Sequence, residues 1–156
     1  MLKSGLRVDK CPFGKFDTLE NSDDLTALFK VLESIKDKNG LHAVITANFN
    51  LANPDFDLIN KASFESYYYK NYEQTLEIYK RRDKVLEILK EGLKKCVFFL
   101  QYHSREHLNP LIWLDEIRNG NATLRIGFQH VVFALSKATS PEIIKFHLAS
   151  MLFRNN

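Results

Sequence analysis

Val97-Phe98-Phe99-Leu100-Gln101-Tyr102-His103-Ser104-Arg105-Glu106-His107-Leu108-Asn109-Pro110 is the stretch that decides the fold. It opens on four apolar residues, Val97 to Leu100, the pattern of a short buried strand. It closes on a helix start. Asn109 can cap free backbone N–H groups, and Pro110 at the first helical position gives up an N–H that would go unbonded anyway. Between strand and helix stand two imidazoles, four residues apart. The carboxyl ends of strands are where α/β folds gather their chemistry. Histidine is the commonest neutral metal ligand, and zinc sites often combine two histidines with a carboxylate. His103 and His107 are therefore the candidate metal ligands. The competing reading is purely structural: each ring bonds a neighbouring backbone group, and the His-x-x-x-His spacing is chance.

Working outward, His42-Ala43-Val44-Ile45-Thr46-Ala47-Asn48-Phe49 is a second short run, β-branched at its centre and apolar on both faces. It predicts a buried strand covered by helices on both sides. Ahead of it, a helix opens at Asn21 or Ser22, with Asp23 and Asp24 in its first turn, where carboxylates suit the free N–H groups. Leu25, Leu28, Phe29, Leu32 and Ile35 form its stripe, and Asn39-Gly40 supplies the stop.

After the second run, residues 63–72 hold Phe64, Tyr67, Tyr68, Tyr69 and Tyr72. Three consecutive tyrosines cannot share one core face, so at least one ring is expected half exposed. Leu76 and Tyr79, then Leu86, Leu89 and Leu93, recur at helical spacing, and Lys80 to Lys84 divides them into two helices. Beyond Pro110, Leu111, Trp113, Leu114 and Ile117 make a helix that Gly120 ends. Leu124, Phe128, Val131, Val132 and Leu135 make another, and Ile143, Ile144, Leu148 and Met151 a last one. His130 and His147 read as packing or rim histidines. Two short strands separated by helical segments imply an α/β fold with a small parallel sheet and about five helical segments. Residues 1–156 read as one domain, with 1–20 an extended lead-in.

The bulk properties narrow the function. The chain has 156 residues, 45% hydrophobic and 26% charged, with a net charge of +3, ordinary for a globular domain. No dense basic patch interleaved with aromatics points to nucleic acid, and Lys80-Arg81-Arg82 is a solvated face closed by Asp83. No run reaches the roughly 18 apolar residues of a membrane span, and no signal peptide is visible. Cys11 and Cys96 stand isolated, with neither metal spacing nor disulfide density, so a reducing, cytoplasmic setting is expected.

The segment Val97 to Pro110 resembles the second motif of NodB-type polysaccharide deacetylases, a strand ending in His-(Ser/Thr)-x-x-His before a helix start. Thr46-Ala47-Asn48-Phe49, Asn53-Pro54-Asp55-Phe56, Tyr67-Tyr68-Tyr69 and His103 to Asn109, in that order, are similar to bacterial proteins described as putative polysaccharide deacetylases, over most of residues 5–135. The resemblance implies a partial, distorted (β/α) barrel and a zinc or other divalent-metal hydrolase of N-acetyl groups on polysaccharide. It makes His103 and His107 two metal ligands. The family's third ligand and general base come from an Asp-Asp pair on a strand. The only such pair here, Asp23-Asp24, opens a helix and receives neither role. The later arginine-containing motif and Leu-x-His motif are also absent. An incomplete barrel, inactive as this chain, is the expectation. In this reading Glu106 is a loop residue.

Two other readings compete. His103-Ser104-Arg105-Glu106-His107 also matches His-x-x-Glu-His, the signature of inverted zinc metallopeptidases, which needs a helix. The second alternative is a non-catalytic α/β fragment. A truncated barrel leaves sheet edges and apolar faces uncovered, which favours a homo-oligomer, most simply a dimer, meeting near Tyr67 to Tyr72 or near Ile144 and Met151.

Overall fold

Asn21 starts the first helix, α1 (Ser22–Ser34), by accepting hydrogen bonds from the N–H groups of Asp23 and Asp24, both 2.9 Å. These are donors that the first turn of any helix leaves unbonded. The structure is a computed structural model that describes Leu6, Asp9, residues 19–133 and Leu135. The expected lead-in over 1–20 lies almost wholly outside the described residues, as do the expected last helix, Ile144, His147, Met151 and Cys11. The described chain divides into two compact units, one holding Leu19–Asn53 and Lys70–Arg105, the other Pro54–Tyr69 and the residues from Glu106 onward.

The first of these is built on α1, β1 (Ile45–Asn50), α3 (Tyr72–Ile78), α4 (Val85–Lys94) and β4 (Phe98–Ser104). The expected parallel pair is present. β1 runs parallel to β4 in the register Ile45 with Phe98, Ala47 with Leu100 and Phe49 with Tyr102. Leu25, Phe29, Leu32, Leu76, Val85, Leu89, Val97 and Phe98 form the core. Phe29 and Phe98 meet at a ring separation of 5.3 Å. The polar stretch after Ile78 does divide two helices, and Asn71 opens α3 with a reciprocal capping box to Gln74.

Two expectations fail in this unit. The first helix stops at Ser34, not at Asn39-Gly40. Ile35 is extended and 53% exposed. The carboxylate of Asp37 accepts from the N–H groups of Asn39 and Leu41, both 2.9 Å, and Gly40 takes φ 81°. An aspartate that offers the backbone a local acceptor competes with the helix and wins here. The strands are also not buried on both faces. Only Val97 and Phe98, at the foot of β4, are buried, while Ile45 is 37%, Phe99 45% and Tyr102 65% exposed. The helices α1 and α4 pack on the beginning of the pair, not along its length.

The other unit holds α2 (Phe56–Lys61), α5 (Pro110–Arg118) and α6 (Ala122–Gln129). Asp55, Asn109 and Asn121 cap them, each accepting from the third residue on: Leu58, Ile112 and Leu124. Ile59, Trp113, Leu114, Ile117, Leu124 and Phe128 are its core. Each such side chain taken out of water contributes about 1.5–3 kcal/mol. The stripe expected to run through Leu135 in one helix is interrupted. α6 ends at Gln129, Val131 turns to φ 59°, and the Val132 N–H closes on the Gly127 carbonyl at 2.9 Å.

A short antiparallel ribbon, β2 (Ala52–Pro54) with β3 (Tyr69–Asn71), completes the elements. Tyr72 N–H donates to Leu51 O at 2.8 Å and Asp55 N–H to Tyr68 O at 2.9 Å, so one strand rises in number as the other falls. Tyr68 and Tyr69 are exposed, as the three-tyrosine argument requires. The fold is mixed α/β with a small parallel sheet and six helices among the described residues, and no barrel closes among them. None of the described helices is long and apolar enough to cross a membrane.

Candidate functional site at the strand ends

β4 leaves the core after Phe98 and carries Phe99 to His103 out into solvent. The pairing with β1 persists to the strand ends but shifts by one residue between Phe49 and Asn50, so that Asn50 faces Ser104. Beyond the bulge the backbone stays paired: Leu51 N–H donates to Ser104 O at 3.2 Å and Ala52 N–H to Arg105 O at 2.7 Å. A bulge of this kind re-aims the side chains around it. Here it brings the Ser104 hydroxyl to Asn50 Oδ1, donating at 2.6 Å across 54 positions of sequence. His103 stands one residue before this contact, exposed.

His107 belongs to the other unit, in the bends that lead to α5, and is exposed as well. Its neighbours are inside: Glu106 is 7% exposed, and Leu108 packs against the core of that unit. Glu106 is thus a loop residue, as expected, with a buried carboxylate. Residues 103–107 are a strand end followed by bends. The helix that the metallopeptidase signature requires is not formed there.

The carboxylates that could complete a metal site do other work. Asp23 opens α1 and pairs with Arg81. Asp55 caps α2, and Asp57 sits in its first turn. Among the described residues no three His, Cys, Asp or Glu side chains come together as a group that could hold a metal ion. A catalytic zinc takes three protein ligands and an open position. The described residues do not bring such a set together. His130 is an exposed helix cap, in keeping with its expected rim position.

Sequence reading found His103 but missed Asn50 and the role of Ser104. The Asn50–Ser104 contact depends on a one-residue slip in register, which periodicity does not encode. No family model, no curated protein and no solved structure matches the chain.

Proposed function

We propose that this protein is deacetylase-like: it binds N-acetylated polysaccharide at the carboxyl ends of β1 and β4 and does not turn it over as this chain. The observation that carries the reading is the parallel pairing of β1 with β4, which ends at Asn50, His103 and Ser104. Open parallel sheets bind ligands outside the carboxyl ends of their strands. The deacetylase resemblance names His103 and His107 as ligands for zinc or another divalent metal, and both imidazoles are exposed. Metal held by an exposed imidazole at either position should be lost on dialysis. The exposed, unpaired Cys96 supports a reducing, cytoplasmic setting. The bare strands support a homo-oligomer, and nothing in the charge pattern invites nucleic acid.

The test is a titration of the chain with N-acetylated chitotetraose, followed by backbone NMR, with acetate release measured in the presence of added zinc. Shifts confined to residues around Asn50 and His103, with no acetate released, are expected. Absence of binding overturns the reading. Robust acetate release overturns its inactive half and makes Asp23, Asp24, Asp55 and Asp57 the carboxylates to replace first. Peptide hydrolysis abolished by Glu106→Gln would establish the metallopeptidase in its place. Zinc that survives chelator in stoichiometric amount would reveal a third ligand.

A further inference from the structure

We infer that Asn50 reads the acetamido group of the sugar, its Nδ2 donating to the acetyl carbonyl oxygen, and that Ser104 is the positioning residue that turns the Asn50 amide for this purpose. The inference rests on the proposed reading of the chain as a binder of N-acetylated carbohydrate.

A carboxamide carries an acceptor oxygen and a two-hydrogen donor nitrogen on opposite arms. Ser104 Oγ engages the oxygen arm at 2.6 Å. With that arm occupied, the donor arm faces away from Ser104, at the carboxyl ends of the two strands. The contact is not a by-product of regular pairing. It exists because the register slips by one residue between Phe49 and Asn50. Both partners are on strands, with backbone bonds continuing on the far side through Leu51 and Ala52. A donor mounted in this way loses little freedom when it binds.

The surrounding charge selects the ligand. β1, Ile45–Asn50, reads Ile-Thr-Ala-Asn-Phe-Asn, and β4, Phe98–Ser104, reads Phe-Phe-Leu-Gln-Tyr-His-Ser. Neither strand contains Asp, Glu, Lys or Arg. Asn48 and Gln101 are register partners, so three carboxamides lie on this one strand pair. The strand pair itself brings no fixed charge to a phosphate or a carboxylate, with His103 near the end of β4 and Arg105 just past it. Its amides match an uncharged ligand made of hydroxyls and amides. Within that class an amide carbonyl is a stronger acceptor than a hydroxyl, which makes the acetamido group the feature read.

The experiment compares affinities of the full chain for N-acetylated chitotetraose, for cellotetraose, which has hydroxyls in place of acetamido groups, and for a short uncharged acetylated peptide. Wild type should favour chitotetraose. Asn50→Asp puts an acceptor where the donor stood and should weaken chitotetraose binding about tenfold, the scale of one hydrogen bond with its partner left unpaired. Cellotetraose affinity should not change. Ser104→Ala should weaken chitotetraose about threefold, a smaller fraction of the same bond. Ser104→Thr, which keeps the hydroxyl, should restore it. Amide spectra matching wild type confirm that each variant is folded, and Asn50→Ala, which removes the donor and should weaken chitotetraose by a similar factor, is the second variant should Asn50→Asp unfold.

If wild type binds chitotetraose and Asn50→Asp binds it equally well, the role of Asn50 is wrong and the proposed function stands. Tighter binding of the peptide than of the sugar overturns the acetamido assignment. If wild type binds no chitotetraose, both the inference and the reading beneath it fall.

Discussion

Gly92 lies against the ring of Phe29: a Cβ placed on Gly92 would stand 2.5 Å from both Phe29 Cε2 and Phe29 Cζ, and 3.1 Å from Phe98 Cβ. The glycine is in the last turn of α4, where alanine would ordinarily be favoured by up to about 1 kcal/mol. Here it makes room for the aromatic pair that fastens the foot of β4 to α1. Phe29 and Phe98 are both 5% exposed and have little space to retreat. Overpacking of this kind costs about 1–3 kcal/mol. Gly92→Ala should therefore destabilise the protein despite its better helix propensity. A urea midpoint equal to or above wild type would show that the Phe29 ring can move aside.

Tyr72 opens α3 and donates its hydroxyl to the Glu20 carboxylate. Its ring meets Phe49 edge-on at 4.5 Å. Burial, then the hydrogen bond to Glu20, push the phenol well above its ordinary range. A raised folded value means that the hydroxyl's stabilisation is complete below the unfolded value, about pH 10, and is lost as pH rises toward the folded one. Tyr72→Phe keeps the ring contact and removes the hydrogen bond. It should cost about 0.5–1.5 kcal/mol near neutrality. The gap between wild type and variant should close as the pH climbs above about 10. Denaturant midpoints at pH 7, 9 and 11 measure it, and a gap that stays constant over that span counts against the Glu20 contact.

Phe128 stands at the centre of an aromatic group, with ring separations of 4.9 Å to Phe64, 5.1 Å to Phe56 and 5.8 Å to Trp113. Truncating such a ring removes its transfer energy and leaves a cavity, about 3–5 kcal/mol for Phe→Ala. Phe64 reaches the group from a left-handed backbone, φ 65°, with its carbonyl held by Arg118 Nη1 at 2.9 Å. Phe128→Ala should lower the protection of amides in α2, α5 and α6 from hydrogen exchange. Unchanged protection there would mean that the group is ornamental to stability.

What could be read from the sequence was mostly local chemistry. Asn21, Asn109 and Pro110 announced helix starts because a cap needs only its own next three residues. The parallel strand pair followed from two short apolar runs with helical spacing between them. Burial was harder. Ile45, Phe99 and Leu100 look like core residues in sequence, yet their exposure depends on how far α1 and α4 extend over the strands. Ile35 extended the apolar stripe of α1, but Asp37 ended the helix before that stripe could count. At the strand ends His103 was visible as a residue type. The Asn50–Ser104 contact was not, since it comes from a bulge and joins residues 54 positions apart.

Leu100 and Tyr102 offer the clearest test of assembly. They are 39% and 65% exposed on β4, in a parallel sheet of only two strands. Each strand of such a sheet has one side without a strand partner among the described residues. Proteins usually protect open edges with lysine, other charges or proline. Phe98–Ser104 contains none of these. Joining two copies along this edge would cover its apolar side chains, and twofold contacts are the commonest way copies meet. Light scattering at micromolar concentration should thus give a mass above the 18.2 kDa of one chain. Leu100→Lys puts a charge on the edge without emptying a core position, because the side chain is already exposed. It should shift the protein toward monomer and leave its unfolding free energy within about 0.5 kcal/mol of wild type after allowance for concentration. A wild type that stays monomeric would sink the assembly argument, and a Leu100→Lys oligomer as large as wild type would move the contact away from β4, toward Tyr68 and Tyr69.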